Sequence, residues 1–179
     1  MQCVKNIIVV LFVSLPVFLG CGTNKATAQL TPTPSPYEGT WHYQDGNELF
    51  VVSLWKENDG SFRGYYKKTA YTNGTIGATI FNSRKVYSDG FVFPPVIYAR
   101  FHSGSGVSGI VHDNTIENNP EDFKDGVLRM KIISDCTNCP VTATWKIDEE
   151  SGLRVDFIEG FSIPTDVILT KVSDEIDLE

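Results

Sequence analysis

Apolar and polar residues alternate along this chain in short runs, and no long segment places its apolar positions at the helical spacing. Period two is the mark of a half-buried strand. "GTWHYQ" is followed by "DGN" and then "ELFVVSLWK"; "ENDG" precedes "SFRGYYKK", and Asn73-Gly74 precedes "TIGATIF". Further along come "PVIYARF", "SGIVH", "GVLRMKII", "VTATWKI", "LRVDFI" and "TDVILTKV". Asp-Gly, Asn-Gly and Ser-Gly pairs stand between them and supply turn chemistry. Evenly spaced short strands of this kind predict an all-β fold: a single antiparallel domain, barrel-like or a curved sandwich, over residues 37–172. The opening and closing segments are expected to pair and close it. The longest irregular stretch runs from Asp113 to Gly126.

One register can be worked out from the sequence. A two-residue turn at Thr137-Asn138 sets Met130 opposite Trp145, Ile132 opposite Ala143 and Leu128 opposite Ile147. All six are apolar and share one face, while Arg129, Lys131, Thr144 and Lys146 take the other. A second turn over Asp148 to Gly152 would set Trp145 against Val155 and Ala143 against Phe157, again inward. Both turns give Trp145 the buried face of a three-stranded meander. Thr137 is a poor residue for such a tight turn, so a wider loop is also open.

The N-terminal region has another character. Lys5 precedes an apolar run from Ile7 to Leu19, the layout of an export signal. It falls short of the ~20 apolar residues that a spanning helix needs. Two cleavage readings compete. Phe18-Leu19-Gly20-Cys21 is similar to the lipobox of bacterial lipoproteins, with Phe18 where Leu is usual, and makes Cys21 a lipidated N-terminus. Ala26-Thr27-Ala28 is an A-x-A site that would release a soluble protein beginning at Gln29. The lipobox is favoured because Cys21 directly follows the apolar core. The expected organisation is a signal over residues 1–20, a lipidated Cys21 with a Thr/Pro tether to residue 36, the β domain over 37–172, and an acidic, solvated tail over 173–179. The expected location is the cell envelope, on the outer membrane of a Gram-negative-type bacterium. The alternative is a periplasmic or secreted protein.

Charge narrows the partners. Fifteen Lys and Arg stand against 22 Asp and Glu, a formal net charge of −7, and loss of residues 1–20 removes Lys5 and no acid. Such a chain repels phosphate backbones, and no run of basic residues offsets this, so no nucleic-acid partner is expected. Cys3 leaves with the signal. Cys136 and Cys139 in "DCTNCP" remain, and in an oxidising envelope a structural disulfide is the expected state. A redox motif would want a strand-to-helix setting. Zinc would need two further ligands from His42, His102 and His112, which are scattered.

Other motifs carry little chemistry. "GSGVSG" at Gly104–Gly109 fits a dinucleotide fingerprint by spacing, but no helix pattern follows it, so it reads as a Gly/Ser hairpin loop. Asp113, Glu117, Glu121, Asp122 and Asp125 crowd the long loop; a calcium clip would use such carboxylates, but the spacing of an EF-hand is absent and a solvated loop is the expected state. His42, between Trp41 and Tyr43, is expected to point outward if Trp41 points in. No local pattern joins a nucleophile to a base, so no enzyme, no cofactor and no metal are expected. The aromatic residues are the candidates for binding: Trp41, Trp55, Tyr65 and Trp145 would line a barrel mouth or an exposed platform, against the plainer reading that they fill the core.

"YEGTWHYQDGNELFVVSLWKE", "GYYKK" and "FSIPTDVILTKV" together resemble an uncharacterised family of small exported bacterial proteins, over about Tyr37 to Val172. In that family a Gly-Thr-Trp opening strand and an Ile-Pro-Thr…Leu-Thr-Lys closing strand bracket a β-rich domain. The resemblance implies export and an all-β fold, and no activity. Gly39-x-Trp41 also resembles the start of a lipocalin barrel. The expected function is a non-catalytic envelope lipoprotein that binds a small ligand, a glycan or a partner protein. The alternatives are a structural lipoprotein with no pocket and a hydrolase-type enzyme. A hollow barrel would favour the first and a filled one the second. A His within hydrogen-bond reach of Ser, Cys or Asp in a cleft would favour the third.

Overall fold

The computed structural model describes residues 35–116, 123–134, 139–149 and 160–179. Its strands are β1 (Gly39–Asp45), β2 (Glu48–Lys56), β3 (Ser61–Thr72), β4 (Thr75–Asn82), β5 (Ile97–His102), β6 (Gly106–Asp113), β7 (Lys124–Ile132), β8 (Thr142–Glu149) and β9 (Asp166–Ser173). Each pairs antiparallel with its neighbours in the order β2-β1-β9-β8-β7-β6-β5-β3, and β2 also pairs β3. The sheet therefore closes into an eight-stranded barrel with β4 as an extra strand. The opening and closing segments do pair, with His42 opposite Thr170. No helix of the described residues is long and apolar enough to cross a membrane.

Strand β3 explains the ninth strand. Its first part, Ser61–Gly64, pairs with β5, and its second part, Lys67–Thr72, pairs with β4 across the Asn73-Gly74 turn. Both turn residues have positive φ, 51° and 81°, the conformation for which Asn-Gly is selected in a two-residue hairpin. β4 packs little: Ile76 and Ile80 are half exposed. The Gly/Ser segment is the predicted hairpin turn between β5 and β6. Gly106 there has φ +85°, and a Cβ on it would lie 2.3 Å from the Met130 carbonyl oxygen, so position 106 admits no side chain.

The register derived for β7 and β8 is observed: Met130 faces Trp145, Ile132 faces Ala143 and Leu128 faces Ile147. The second hairpin is not. The other edge of β8 is taken by β9, which sets Trp145 opposite Val167 and Ala143 opposite Leu169. A strand has two edges, and both are now occupied. Val155 and Phe157 lie outside the described residues. The face assigned to Trp145 holds nonetheless, because Val167 and Leu169 keep the same inward parity.

Large side chains pack into the interior. Trp41, Phe50, Leu54, Phe62, Tyr66, Ile97, Leu128, Met130, Trp145 and Leu169 are buried in one cluster. Burying side chains of this size removes 1.5–3 kcal/mol each, in rough terms, from the cost of folding. Both buried indoles satisfy their N–H groups on backbone carbonyls, Trp41 on Tyr37 and Trp145 on Pro164, each at 3.0 Å. One end is held by polar contacts. The buried Asp113 carboxylate accepts from the Tyr66 hydroxyl at 3.0 Å, the Thr115 hydroxyl at 3.0 Å, and the Ser162 amide and hydroxyl at 2.6 and 2.7 Å. Burial and the adjacent Asp113 charge push the Tyr66 hydroxyl well above its ordinary pKa, so it stays a donor.

The acidic tail is not a solvated end. Beyond β9 it folds across the outside of β1, β2 and β3. Thr40 donates to the Glu175 carbonyl at 2.7 Å and Ser53 to the Asp177 carbonyl at 2.6 Å. Lys67 Nζ meets Asp177 Oδ2 at 2.9 Å and the Glu179 carbonyl at 2.6 Å. Thr40, Val51 and Ser53 point outward yet are buried beneath it. The tail carries hydrogen-bonding groups that match an outward Thr, Ser and Lys, and composition alone could not show that match.

Candidate functional site

The four aromatic candidates do not form one site. Trp41 and Trp145 are sealed in the interior and present no surface to a ligand. Trp55 and Tyr65 lie outside the barrel, their rings 5.8 Å apart. Trp55 donates to Glu57 at 2.8 Å, and the Tyr65 hydroxyl donates to the Phe93 carbonyl at 2.7 Å. Tyr65 is largely covered, so the pair serves packing more than display. His42 does point outward, as Trp41 points in. Burial lowers its pKa below 6.5, against the pull of the Asp177 carboxylate and with the push of Lys67.

The concave surface lies elsewhere, on the outside of β3, β5 and β6. Direct cross-strand pairing sets Trp55, Arg63, Tyr98 and Ile110 in one row. Arg100 and Ser108 form the next row. A cleft of about 340 Å³ opens between these rows, lined by Arg63, Tyr98, Arg100, His102, Ser108 and Ile110. The backbone of Ala99 and Gly109 forms its floor between the two rows. On the other side of Tyr98 lies a second hollow of about 180 Å³, formed by Phe93, Pro94, Pro95, Tyr98, His112 and Phe123. One hollow is cationic and polar, the other apolar and aromatic, and Tyr98 is their common wall.

The side chains around Tyr98 are fixed. The Arg63 guanidinium sits 4.7 Å from its ring centroid and donates to the Phe62 carbonyl at 3.2 Å. The His112 ring contacts Tyr98 and Phe123 edge-on, at 5.6 and 5.5 Å. Its Nδ1 pairs with the Asp125 carboxylate. Arg100 lies 3.6 Å from Asp59, whose carboxyl is held below its usual range by hydrogen bonds from Ser61 and then by Arg100 and Arg63. Asp113 and Asp125 face opposite sides of the sheet, so the two do not share a cation. Glu117, Glu121 and Asp122 lie outside the described residues. Among the described residues no three His, Cys, Asp or Glu side chains gather as metal ligands.

Sequence reasoning passed over Arg63, Tyr98 and Arg100; it met His112 only as a scattered zinc candidate and Ser108 only within the Gly/Ser motif. A signal was present: the same opposed-residue count used for the cysteine turn, applied to the Gly/Ser turn, pairs Tyr98 with Ile110 and Arg100 with Ser108. The contribution of β3 was hidden, because β4 intervenes in the chain. Cys21, Ala28 and Cys136 lie outside the described residues, and with them the lipidation and disulfide expectations. No protein family, curated protein or solved structure matches this chain.

Proposed function

We propose that this protein is an exported, lipid-anchored binding module that recognises its partner through the outside of the barrel, at the double hollow around Tyr98. In this reading Cys21 carries the anchor, residues 22–36 are the tether, and Cys136 and Cys139 are bridged to pin the turn between β7 and β8. The observation that carries it is the concave, mixed cationic and aromatic surface on the outside of the barrel. Large side chains crowd the described part of the interior, which argues against a carrier of ligands within the barrel and also suits a purely structural lipoprotein. The built cleft is what favours recognition over that alternative.

The test separates anchoring from recognition. Cys21→Ser full-length protein, freed of lipid, is added to envelope fractions from cells that lack it. Retention is expected, and Tyr98→Ala should weaken it at least tenfold, the scale of an aromatic anchor residue at ~2 kcal/mol. Ile168→Ala, exposed on β9, is the control. Equal retention of Tyr98→Ala and wild type would defeat the reading. Mass spectrometry after alkylation without reductant should find Cys136 and Cys139 unmodified.

His112 paired with Asp125 in a cleft is the observation that favours the hydrolase-type alternative. Among the described residues no Ser, Thr or Cys side chain hydrogen-bonds His112, so the pair lacks an activated nucleophile. Loss of hydrolysis of a chromogenic ester on His112→Ala would support that alternative.

A further inference from the structure

Charged side chains that leave water are normally paired. Arg63 is half-buried, wedged against Tyr98, and its one hydrogen bond to protein is to the Phe62 carbonyl. Among the described residues no carboxylate lies within ion-pair distance of it. The nearby acid, Asp59, pairs with Arg100 instead. A guanidinium has five donors in a rigid fork, so Arg63 is held in place with donors to spare at the wall of a cleft. Arg100 approaches from the next row and His102 and Ser108 add further polar groups. This local excess of cationic donors stands on a chain of net charge −7.

The apolar hollow adjoins this cleft, with Tyr98 as the wall between them. Phe123 is 53% exposed and Ile110 44% exposed, so both offer apolar surface beside the cations. The cleft, about 340 Å³, falls at the low end of the roughly 300–1,000 Å³ typical of small-molecule sites, and the adjoining hollow adds about 180 Å³ of apolar surface recess. Resting on the recognition reading above, we propose that the ligand is a small amphiphilic anion. Its carboxylate, phosphate or sulfate head lies between Arg63 and Arg100, and its apolar ring or short chain crosses Tyr98 into the hollow of Phe93, Pro94, Pro95 and Phe123. Two guanidinium groups suit a planar or tetrahedral oxyanion by paired hydrogen bonds. His112, paired with Asp125, adds its ring to the aromatic wall of the apolar hollow.

Titration calorimetry on the full-length Cys21→Ser protein tests this with four probes: 4-phenylbutyrate, its neutral amide, inorganic phosphate, and vesicles containing an anionic lipid. Phenylbutyrate is expected to bind with a Kd of roughly 1 mM or tighter, given its size, and at least tenfold more tightly than the amide or phosphate. Arg63→Gln and Arg100→Gln should each abolish most of that preference for the acid over the amide. Phe123→Ala should weaken phenylbutyrate and leave phosphate unchanged. Near-wild-type thermal unfolding of Arg100→Gln, an exposed residue, shows that loss of binding is not loss of fold. Equal binding of acid and amide, or wild-type binding by both arginine variants, overturns the proposal. So does binding of the vesicles alone, which would assign the arginines to a lipid surface. If envelope retention depends on Tyr98 while phenylbutyrate neither binds nor competes, the cleft remains a recognition site and the small-anion proposal fails by itself.

Discussion

Arg63 and Lys67 sit on the same strand, on the same outward face, two periods of the alternation apart with Tyr65 between them. Lys67 is met by the Asp177 carboxylate and the Glu179 carbonyl of the tail. Arg63 is met by an aromatic ring and one backbone carbonyl. The first cation belongs to a covered face, over which the chain has folded its own acidic segment. The second belongs to an open face, where Asp59 acts on it from a distance and no carboxylate of the described residues lies within ion-pair distance. Two outward positions with the same local pattern thus differ in whether the protein answers its own charge. A solvent-side cation that the fold already neutralises is structural, and one that it positions and leaves unanswered is available to a ligand.

The interior sets the scale for testing that contrast. Trp145→Ala should destabilise the protein by about 3–5 kcal/mol in chemical denaturation, since it empties a fully buried site. Trp55→Ala, on the outside, should cost about 1 kcal/mol or less. Comparable losses for the two would mean that the outer aromatic residues are as structural as the inner ones.

Removal of residues 174–179 should have the next largest effect. It uncovers Val51, returns Thr40 and Ser53 to water and takes away the partners of Lys67, for a loss of about 1–3 kcal/mol on the scale of apolar burial and hydrogen bonds. A denaturation midpoint unchanged by this truncation would erase the distinction between the covered and open faces.

The pH dependence is smaller and has a definite sign. His42 is buried by the tail's side of the barrel and its folded pKa is lowered from 6.5. The unfolded chain therefore binds its proton more readily. The stability contributed by neutral His42 is complete above pH 6.5 and is lost as pH falls through the ordinary value toward the lowered one. His42→Gln should flatten the pH profile of the thermal midpoint over that window. A profile that steepens on this change would contradict the assignment.

The smallest effect belongs to the open face. Arg100→Gln should alter stability by no more than about 0.5 kcal/mol, as expected of an exposed residue whose ion pair is screened by water. A large loss here would make the cleft arginines part of the scaffold.

The alternation of apolar and polar residues determined the strands, the all-β class, the inward faces of Trp41 and Trp145, and the β7–β8 register, because side-chain direction in a strand follows from position and a tight turn fixes opposition. Pairing between neighbours joined by short turns was legible for the same reason. What only the tertiary structure decided required residues distant in the chain. β9 took the edge of β8, β3 divided itself between β4 and β5, and the tail found Thr40, Ser53 and Lys67. Closure of the barrel then set Arg63 beside Tyr98 and Arg100. Local pattern fixes which way a side chain points, but not what arrives to meet it, since that depends on how the sheet closes and on which surface the rest of the chain leaves open.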